Sequence, residues 1–150
     1  MIIDLPGLGR VRLRASARGL VAVDLDPRGG SDERGACIEQ AAAELVDYAA
    51  GRRRLFTVAL DLSGLTPFRR RVLERLRAVP FGASTTYGAL AAASGSPGAA
   101  RAIGGAVGAN PLAIIIPCHR VLAAGGALGG FSGGLAWKRR LLAHEGITAR

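Results

Sequence analysis

The sequence predicts an α+β protein: a small N-terminal sheet-plus-helix domain over residues 1–63, then a mostly helical domain over residues 64–150 containing a winged-helix or helix-turn-helix arrangement. Three observations predict it. VRLRASARGLVAVDLD alternates apolar and polar residues on both sides of Ala17-Arg18-Gly19, as a β-hairpin does. Gly64-Leu65-Thr66-Pro67 then marks a change to helical periodicity. Finally, two short helical patterns meet at Gly95-Ser96-Pro97, a turn tight enough for a helix-turn-helix.

The elements follow in order. After the hairpin, Arg28-Gly29-Gly30-Ser31 reads as a loop. Ile38, Ala42, Leu45 and Ala49 recur at helical spacing, and Leu55 to Leu62 alternates as a strand would. Thr66 is a good N-cap with Pro67 at the first helical position. Phe68, Val72, Leu76 and Val79 form that helix's apolar stripe, flanked by Arg69, Arg70, Arg71, Arg75 and Arg77. Thr85-Thr86 caps a helix in TYGALAAASG that ends at Gly95. Ser96-Pro97 opens the next, which extends through Gly108 until Asn110-Pro111 stops it.

Composition excludes several classes. The chain has 150 residues, 49% of them hydrophobic, with no apolar run near the roughly 18 residues that span a bilayer, so no membrane role is expected. MIIDLPGLGR lacks the pattern of a secretory signal. Cys37 and Cys118 are too few for a disulfide framework, which points to free thiols in a reducing cytoplasm. Near the start of a helix, Cys37 reads as a small buried hydrophobe.

Charge points to a partner. Residues 64–150 carry eleven basic side chains against Glu74 and Glu145, which accounts for the whole net charge of +9. A polyanion, most simply nucleic acid, suits that half. On a helical wheel of the segment 97–108, Ala99, Ala100, Ile103, Ala106 and Val107 share one face, and Arg101 points about 200° away from Ile103. Gly98, Gly104, Gly105 and Gly108 surround Arg101, although each glycine costs a helix interior about 1 kcal/mol. Such a face lets another body approach closely, and a DNA groove is suitable. A single long side chain reads little sequence, which suits a lesion as the target rather than an operator.

The chemistry centres on IIIPCHRV. Leu112 to Ile116 reads as a buried extended segment that Pro117 ends rigidly before Cys118. A thiol so presented suits a nucleophile, provided it gains thiolate character. His119 can take its proton, through a bridging water because neighbouring side chains on an extended segment diverge. His144 and Glu145 are the two candidates to orient that imidazole, and a carboxylate would complete a Cys-His-Glu relay that depresses the Cys118 pKa. A zinc set of Cys37, Cys118, His119 and His144 lacks metal-site spacing, so no metal is expected.

TYGALA, ARAIGGAVGANP, IPCHRV and GGFSGGLAWKRRLLAHEG, in that order, cover most of residues 66–146 and resemble the O6-alkylguanine-DNA alkyltransferase family. The resemblance implies irreversible, single-turnover transfer of an alkyl group from O6 of guanine to Cys118. It implies that His119 and Glu145 form the activating relay and that Asn110 is a hinge between the recognition helix and the active-site segment. Arg101 becomes the finger that fills the gap left by an extruded nucleotide, and Tyr87 crowds the target phosphate and bonds the guanine edge. The carbonyls of Cys118 and Val121 accept from the exocyclic amine, the Ser132 backbone donates to O6, and Phe131 packs on the base. Gly105, Arg120 and Gly133 complete the expected DNA- and substrate-binding set. The partner is double-stranded DNA containing O6-alkylguanine, held in the minor groove without sequence preference by a monomer. No cofactor is implied, and the location is cytoplasmic, at the nucleoid.

This sequence departs from the family at Arg69 and Leu73, where Gln and Trp are common. The front domain has no His and only Cys37, so the structural zinc of some relatives is not expected. Three alternatives remain: a helix-turn-helix regulator, a lesion-binding relative without transfer activity, and a cysteine hydrolase. The first leaves PCHRV unexplained, Cys118 stands against the second, and the third would turn over.

Overall fold

A computed structural model describes residues 1–30 and 32–150; Ser31, read above as part of a loop, lies outside the described residues. The architecture is α+β, as expected. The chain divides into two compact units, Met1–Gly64 with Pro111–Ala113, and Leu65–Asn110 with Ile114–Arg150.

In the first unit, β1 (Ile2–Leu5), β2 (Gly9–Ala15) and β3 (Leu20–Leu25) form an antiparallel sheet in the order β1-β2-β3. β2 and β3 are the expected hairpin, with Val11 opposite Leu25 and Leu13 opposite Val23. The turn needs glycine at position 19: its φ is +159°, and a Cβ there would sit 2.7 Å from the Ala59 carbonyl oxygen. β1 was not foreseen, because four residues beside Leu5-Pro6-Gly7 are too few to show a period. Helix α1 (Ala36–Ala49) buries Ile38, Ala41, Ala42, Leu45 and Tyr48; Tyr48, not Ala49, takes the inward place at its end.

The strand expected at Leu55–Leu62 does not form; among the described residues this stretch contributes one bridge, Leu60 beside Leu20. A buried acid ties it down instead. The Glu44 carboxylate accepts from the Thr57 N–H (2.8 Å), the Thr57 hydroxyl (2.6 Å) and the Val58 N–H (3.1 Å). Cys37, expected to be buried, is only half-buried, and burial still raises its thiol pKa.

The second unit is mostly helical. Helix α2 (Pro67–Arg77) starts as read, with the Thr66 hydroxyl accepting from the Arg69 N–H at 3.2 Å. It buries Val72, Leu73 and Leu76, while its arginines stay exposed. Helices α3 (Tyr87–Ala93) and α4 (Ala100–Gly108) form the expected pair, and α2 packs on both. Thr86 caps α3 by accepting from the Ala89 N–H. α4 begins later than the wheel assumed. Gly98 is left-handed at φ +84°, which places it in the turn and leaves Gly104, Gly105 and Gly108 in the helix.

Two further features carry the site. β4 (Thr85–Thr86) pairs in parallel with β5 (Val121–Leu122), which places the start of α3 beside the IPCHRV segment. Helix α5 (Leu135–Glu145) follows the glycine-rich loop and buries Trp137, Lys138, Leu141, Leu142 and Glu145. The segment Leu112–Ile116 is buried as expected but not extended. It turns, and Ile114 sits at φ +73°, a conformation that costs a β-branched residue about 1–2 kcal/mol. Apolar burial of Leu112, Ile114, Ile115 and Ile116 holds it there.

Candidate active site

The chain ahead of Cys118 is shaped by Pro117, whose φ of −80° and ψ of 66° are those of an inverse γ-turn. The Cys118 N–H accordingly donates to the Ile116 carbonyl at 2.8 Å. A 3-10 turn over Cys118–Arg120 follows, closed by the Arg120 N–H on the Pro117 carbonyl at 3.0 Å. Cys118 thus sits at the start of a tight turn, where backbone N–H groups face a developing anion. Cys118 lines a cavity of about 220 Å³ together with Tyr87, Gly104, Val107, Gly108, Gly130, Phe131 and Ser132. That space admits a flat heterocycle and excludes a folded peptide.

Behind Cys118 lies a buried ion cluster. His119 Nε2 is 2.6 Å from Glu145 Oε2, and both side chains are inaccessible to solvent. The Arg120 guanidinium grips the same carboxylate with Nε (2.7 Å to Oε1) and a terminal nitrogen (3.0 Å to Oε2). Its other terminal nitrogen donates to the Val79 carbonyl at 2.6 Å, and the Gly82 N–H donates to Glu145 Oε1 at 3.2 Å. These bonds fix the imidazole tautomer. A carboxylate only accepts, so His119 Nε2 carries the proton and Nδ1 keeps its lone pair. Nδ1 is buried and bonds to no protein group. Burial pushes the His119 pKa down, against the raising effect of Glu145, so the imidazole rests neutral with an open basic nitrogen.

The thiol does not rest as an anion. Burial raises the Cys118 pKa, outweighing the lowering effects of the Asn110 side chain, the Lys138 charge and the backbone N–H groups of Cys118 and His119. The depressed value expected from the relay is therefore corrected: desolvation of the sulfur exceeds the help it receives. A consequence is measurable. Carbamidomethylation of Cys118 by iodoacetamide keeps accelerating beyond about pH 9, past an ordinary thiol, because the folded thiol holds its proton longer. A plateau below about pH 8 contradicts this placement.

Other expected residues differ in where they lie. Tyr87, Phe131 and Ser132 line the cavity with Cys118. The Tyr87 pKa is raised by burial and then by Cys118, which keeps the phenol a hydrogen-bond donor. The Ser132 hydroxyl donates to the Gly108 carbonyl at 2.5 Å and so latches the glycine loop to the end of α4. Gly133 follows it in the loop but does not line the cavity. Asn110 spans from α4 to the active-site segment, with Nδ2 donating to the Ile116 carbonyl at 2.8 Å. Arg101 and Gly105 are exposed on α4. A Cβ added at Gly104 or Gly105 meets nothing within 4 Å, so the fold itself does not require glycine there.

One expectation changes. Arg120 does not face a ligand: it is 5% exposed and its guanidinium is committed to Glu145 and Val79. The reason is electrostatic, since a buried carboxylate needs a cation and Arg120 supplies one bidentately. The Val121 carbonyl already accepts from Lys138 Nζ at 2.7 Å, which leaves its second lone pair for another donor. Of the two candidate orienters, Glu145 contacts His119, whereas His144 packs edge-on to Phe81. Sequence reasoning missed Lys138 altogether. Its signal was present, for it is the chain's one lysine beside nineteen arginines. Among the described residues no group of three or more His, Cys, Asp or Glu could hold a metal ion, and no helix is long and apolar enough to cross a membrane.

The sequence profile described as 6-O-methylguanine DNA methyltransferase, DNA binding domain, matches residues 67–147. A methylated-DNA--protein-cysteine methyltransferase of Salmonella typhimurium is 50% identical over 103 residues, 69% of this chain; the chain spans 60% of that relative's length. One of the same name from Mycolicibacterium paratuberculosis is 46% identical over 118 residues, covering 79% of this chain and 71% of the relative. The crystal structure of Mycobacterium tuberculosis O6-methylguanine methyltransferase superposes with a TM-score of 0.85 at 38% identity, covering 96% of this chain and 90% of its own. The Mycobacterium tuberculosis OGT structure in complex with DNA gives 0.85 at 37%, covering 97% and 91%. With profile, relatives and structures in agreement, the chain belongs to the O6-methylguanine DNA methyltransferase family.

Proposed function

We propose that the protein repairs duplex DNA directly, moving an alkyl group from O6 of guanine onto Cys118 in one irreversible turnover. The observation that carries this reading is the Cys118 sulfur in a base-sized cavity, backed by a neutral imidazole whose basic nitrogen is open. The relatives named above support it.

The unit Leu65–Asn110 with Ile114–Arg150 acts as the DNA-binding and active-site domain. A stacked guanine cannot present O6 to a buried sulfur, so the nucleotide leaves the helix and enters the cavity. α4 lies in the minor groove, its glycine face close to the sugars, and the exposed Arg101 fills the gap in the stack. Tyr87 crowds the target phosphate and donates to the ring edge, Phe131 packs on the base, and the loop backbone at Ser132–Gly133 meets O6. His119 Nδ1 takes the thiol proton through a bridging water while Glu145 stabilises the resulting imidazolium and Asn110 holds the two walls in register. Sγ attacks the alkyl carbon, the S–C bond forms, the C–O6 bond breaks, and the electron pair returns to the base. The base regains the proton released by the thiol and becomes guanine, so thiol plus O6-alkylguanine gives thioether plus guanine. Binding is by a monomer without sequence preference, in the cytoplasm at the nucleoid.

The test uses duplex DNA with a radiolabelled O6-methyl group. Label moves to protein until each chain carries one, then stops, because the thioether cannot return. Continued release of label as methanol marks a hydrolase, and tight binding without transfer marks a regulator or a lesion binder.

A further inference from the structure

One buried charge has no part in the scheme above. Lys138 on α5 is fully buried, yet among the described residues no carboxylate pairs with it. Its Nζ donates to the Val121 carbonyl at 2.7 Å and to the Gly130 carbonyl at 3.1 Å. Both partners belong to the pocket. Val121 closes the Cys118 turn with its N–H on the Cys118 carbonyl, and Gly130 lines the cavity with the sulfur. Two carbonyl dipoles soften the burial of an ammonium but do not neutralise it.

Its identity also stands out in the sequence. Every other basic position in the chain is arginine. Arginine is written nineteen times in the chain, and the lone lysine stands at a fully buried position. Lysine offers what arginine lacks: a compact point charge with three donors that fits between two carbonyls and can give up a proton.

We propose, on the reading of Cys118 as the alkyl acceptor, that Lys138 is a positioning residue and charge partner for the sulfur: its ammonium clamps the Cys118 turn to the glycine loop and supplies the positive charge against which the Cys118 thiolate forms. His119 then removes the proton, and Lys138 stabilises the anion left behind. The coupling is mutual, since the lysine charge lowers the Cys118 pKa and the thiolate raises that of Lys138, against the lowering effect of burial. The other titratable groups around the sulfur are Tyr87 from α3, His119 and Arg120 of the turn, and Glu145 behind them. Of these, Arg120 is already matched by Glu145, which leaves Lys138 as the cation available to sulfur.

A single lysine makes the test direct. Protein labelled with 13C at lysine Cε shows one ε-methylene resonance, whose shift titrates with Lys138. Its midpoint is followed with Cys118 free, with Cys118 carbamidomethylated, and in Cys118→Ser. Removing the possible anion lowers the Lys138 midpoint by about half a unit or more in both altered forms. In parallel, Lys138→Gln slows carbamidomethylation of Cys118 at pH 7.5 by about tenfold, and Lys138→Arg, which keeps the charge, recovers part of it. A Lys138 midpoint identical in all three forms overturns the proposal, even where the Gln variant fails to fold. Neither measurement involves DNA, so their failure leaves transfer from O6-methylguanine standing as a separate question.

Discussion

Replacing Arg120 with alanine lowers the unfolding free energy by about 3–5 kcal/mol, and alkyl transfer falls with it. The cost arises because Glu145 stays behind. Its carboxylate is inaccessible to solvent and loses both guanidinium bonds, keeping the Gly82 N–H and His119. Removing one partner of a buried pair leaves an uncompensated charge, which costs far more than the pair contributed. The Val79 carbonyl and the face of Phe81, 5.9 Å from the guanidinium carbon, lose their partner as well. The imidazole feels the change in a definite direction: Arg120 lowers the His119 pKa, so its loss makes His119 easier to protonate and less available as a base at neutral pH. Urea denaturation of both proteins measures the stability. A residue that touched DNA would show the opposite pattern, unchanged denaturation with weakened binding.

Arg101→Ala separates recognition of a duplex from chemistry on a base. Its rate on duplex O6-methylguanine falls by about 30-fold, the equivalent of about 2 kcal/mol, while its rate on free O6-benzylguanine is unchanged. Extruding a nucleotide costs a few kcal/mol in lost stacking, and a side chain that occupies the gap returns part of it. Arg101 is exposed on α4 and does not line the cavity, so nothing in the pocket changes on its removal. Equal losses on both substrates contradict the finger role. Side chains added on the same face act through approach rather than through the fold. Gly105→Ala leaves protein stability intact, since nothing of the chain lies within 4 Å of a Cβ there.

Much of this was legible in the sequence because local physics wrote it there. Thr66-Pro67 and Thr86 announce their helices through caps that form as expected. The hairpin around Gly19 shows in its alternation, and the placement of Cys118 in the proline that precedes it. What escaped was set by contacts between distant residues. The alternation at Leu55–Leu62 mimics a strand, but Glu44 captures the Thr57 and Val58 N–H groups. The apolar run before Pro117 reads as extended, yet it turns at Ile114, where burial outweighs backbone preference. Arg120 follows a cysteine and a histidine in a basic half and so reads as a DNA contact. Only the fold brings Glu145, 25 residues on, against it. Lys138 hid in a charged run, WKRR, whose next two residues are indeed exposed. The Cys118 pKa was misjudged for a related reason. A sequence shows the neighbours that stabilise a thiolate but not the depth of burial that opposes them.

In the proposed reaction one sulfur keeps the alkyl group. Intact-protein mass spectrometry after incubation with excess duplex O6-methylguanine, followed by peptide mapping, tests it most directly. The expected result is a single gain of about 14 Da per chain, one CH2, located on Cys118 and lost in Cys118→Ser. An unmodified chain, a second equivalent, or a methyl group mapped to Cys37 contradicts it.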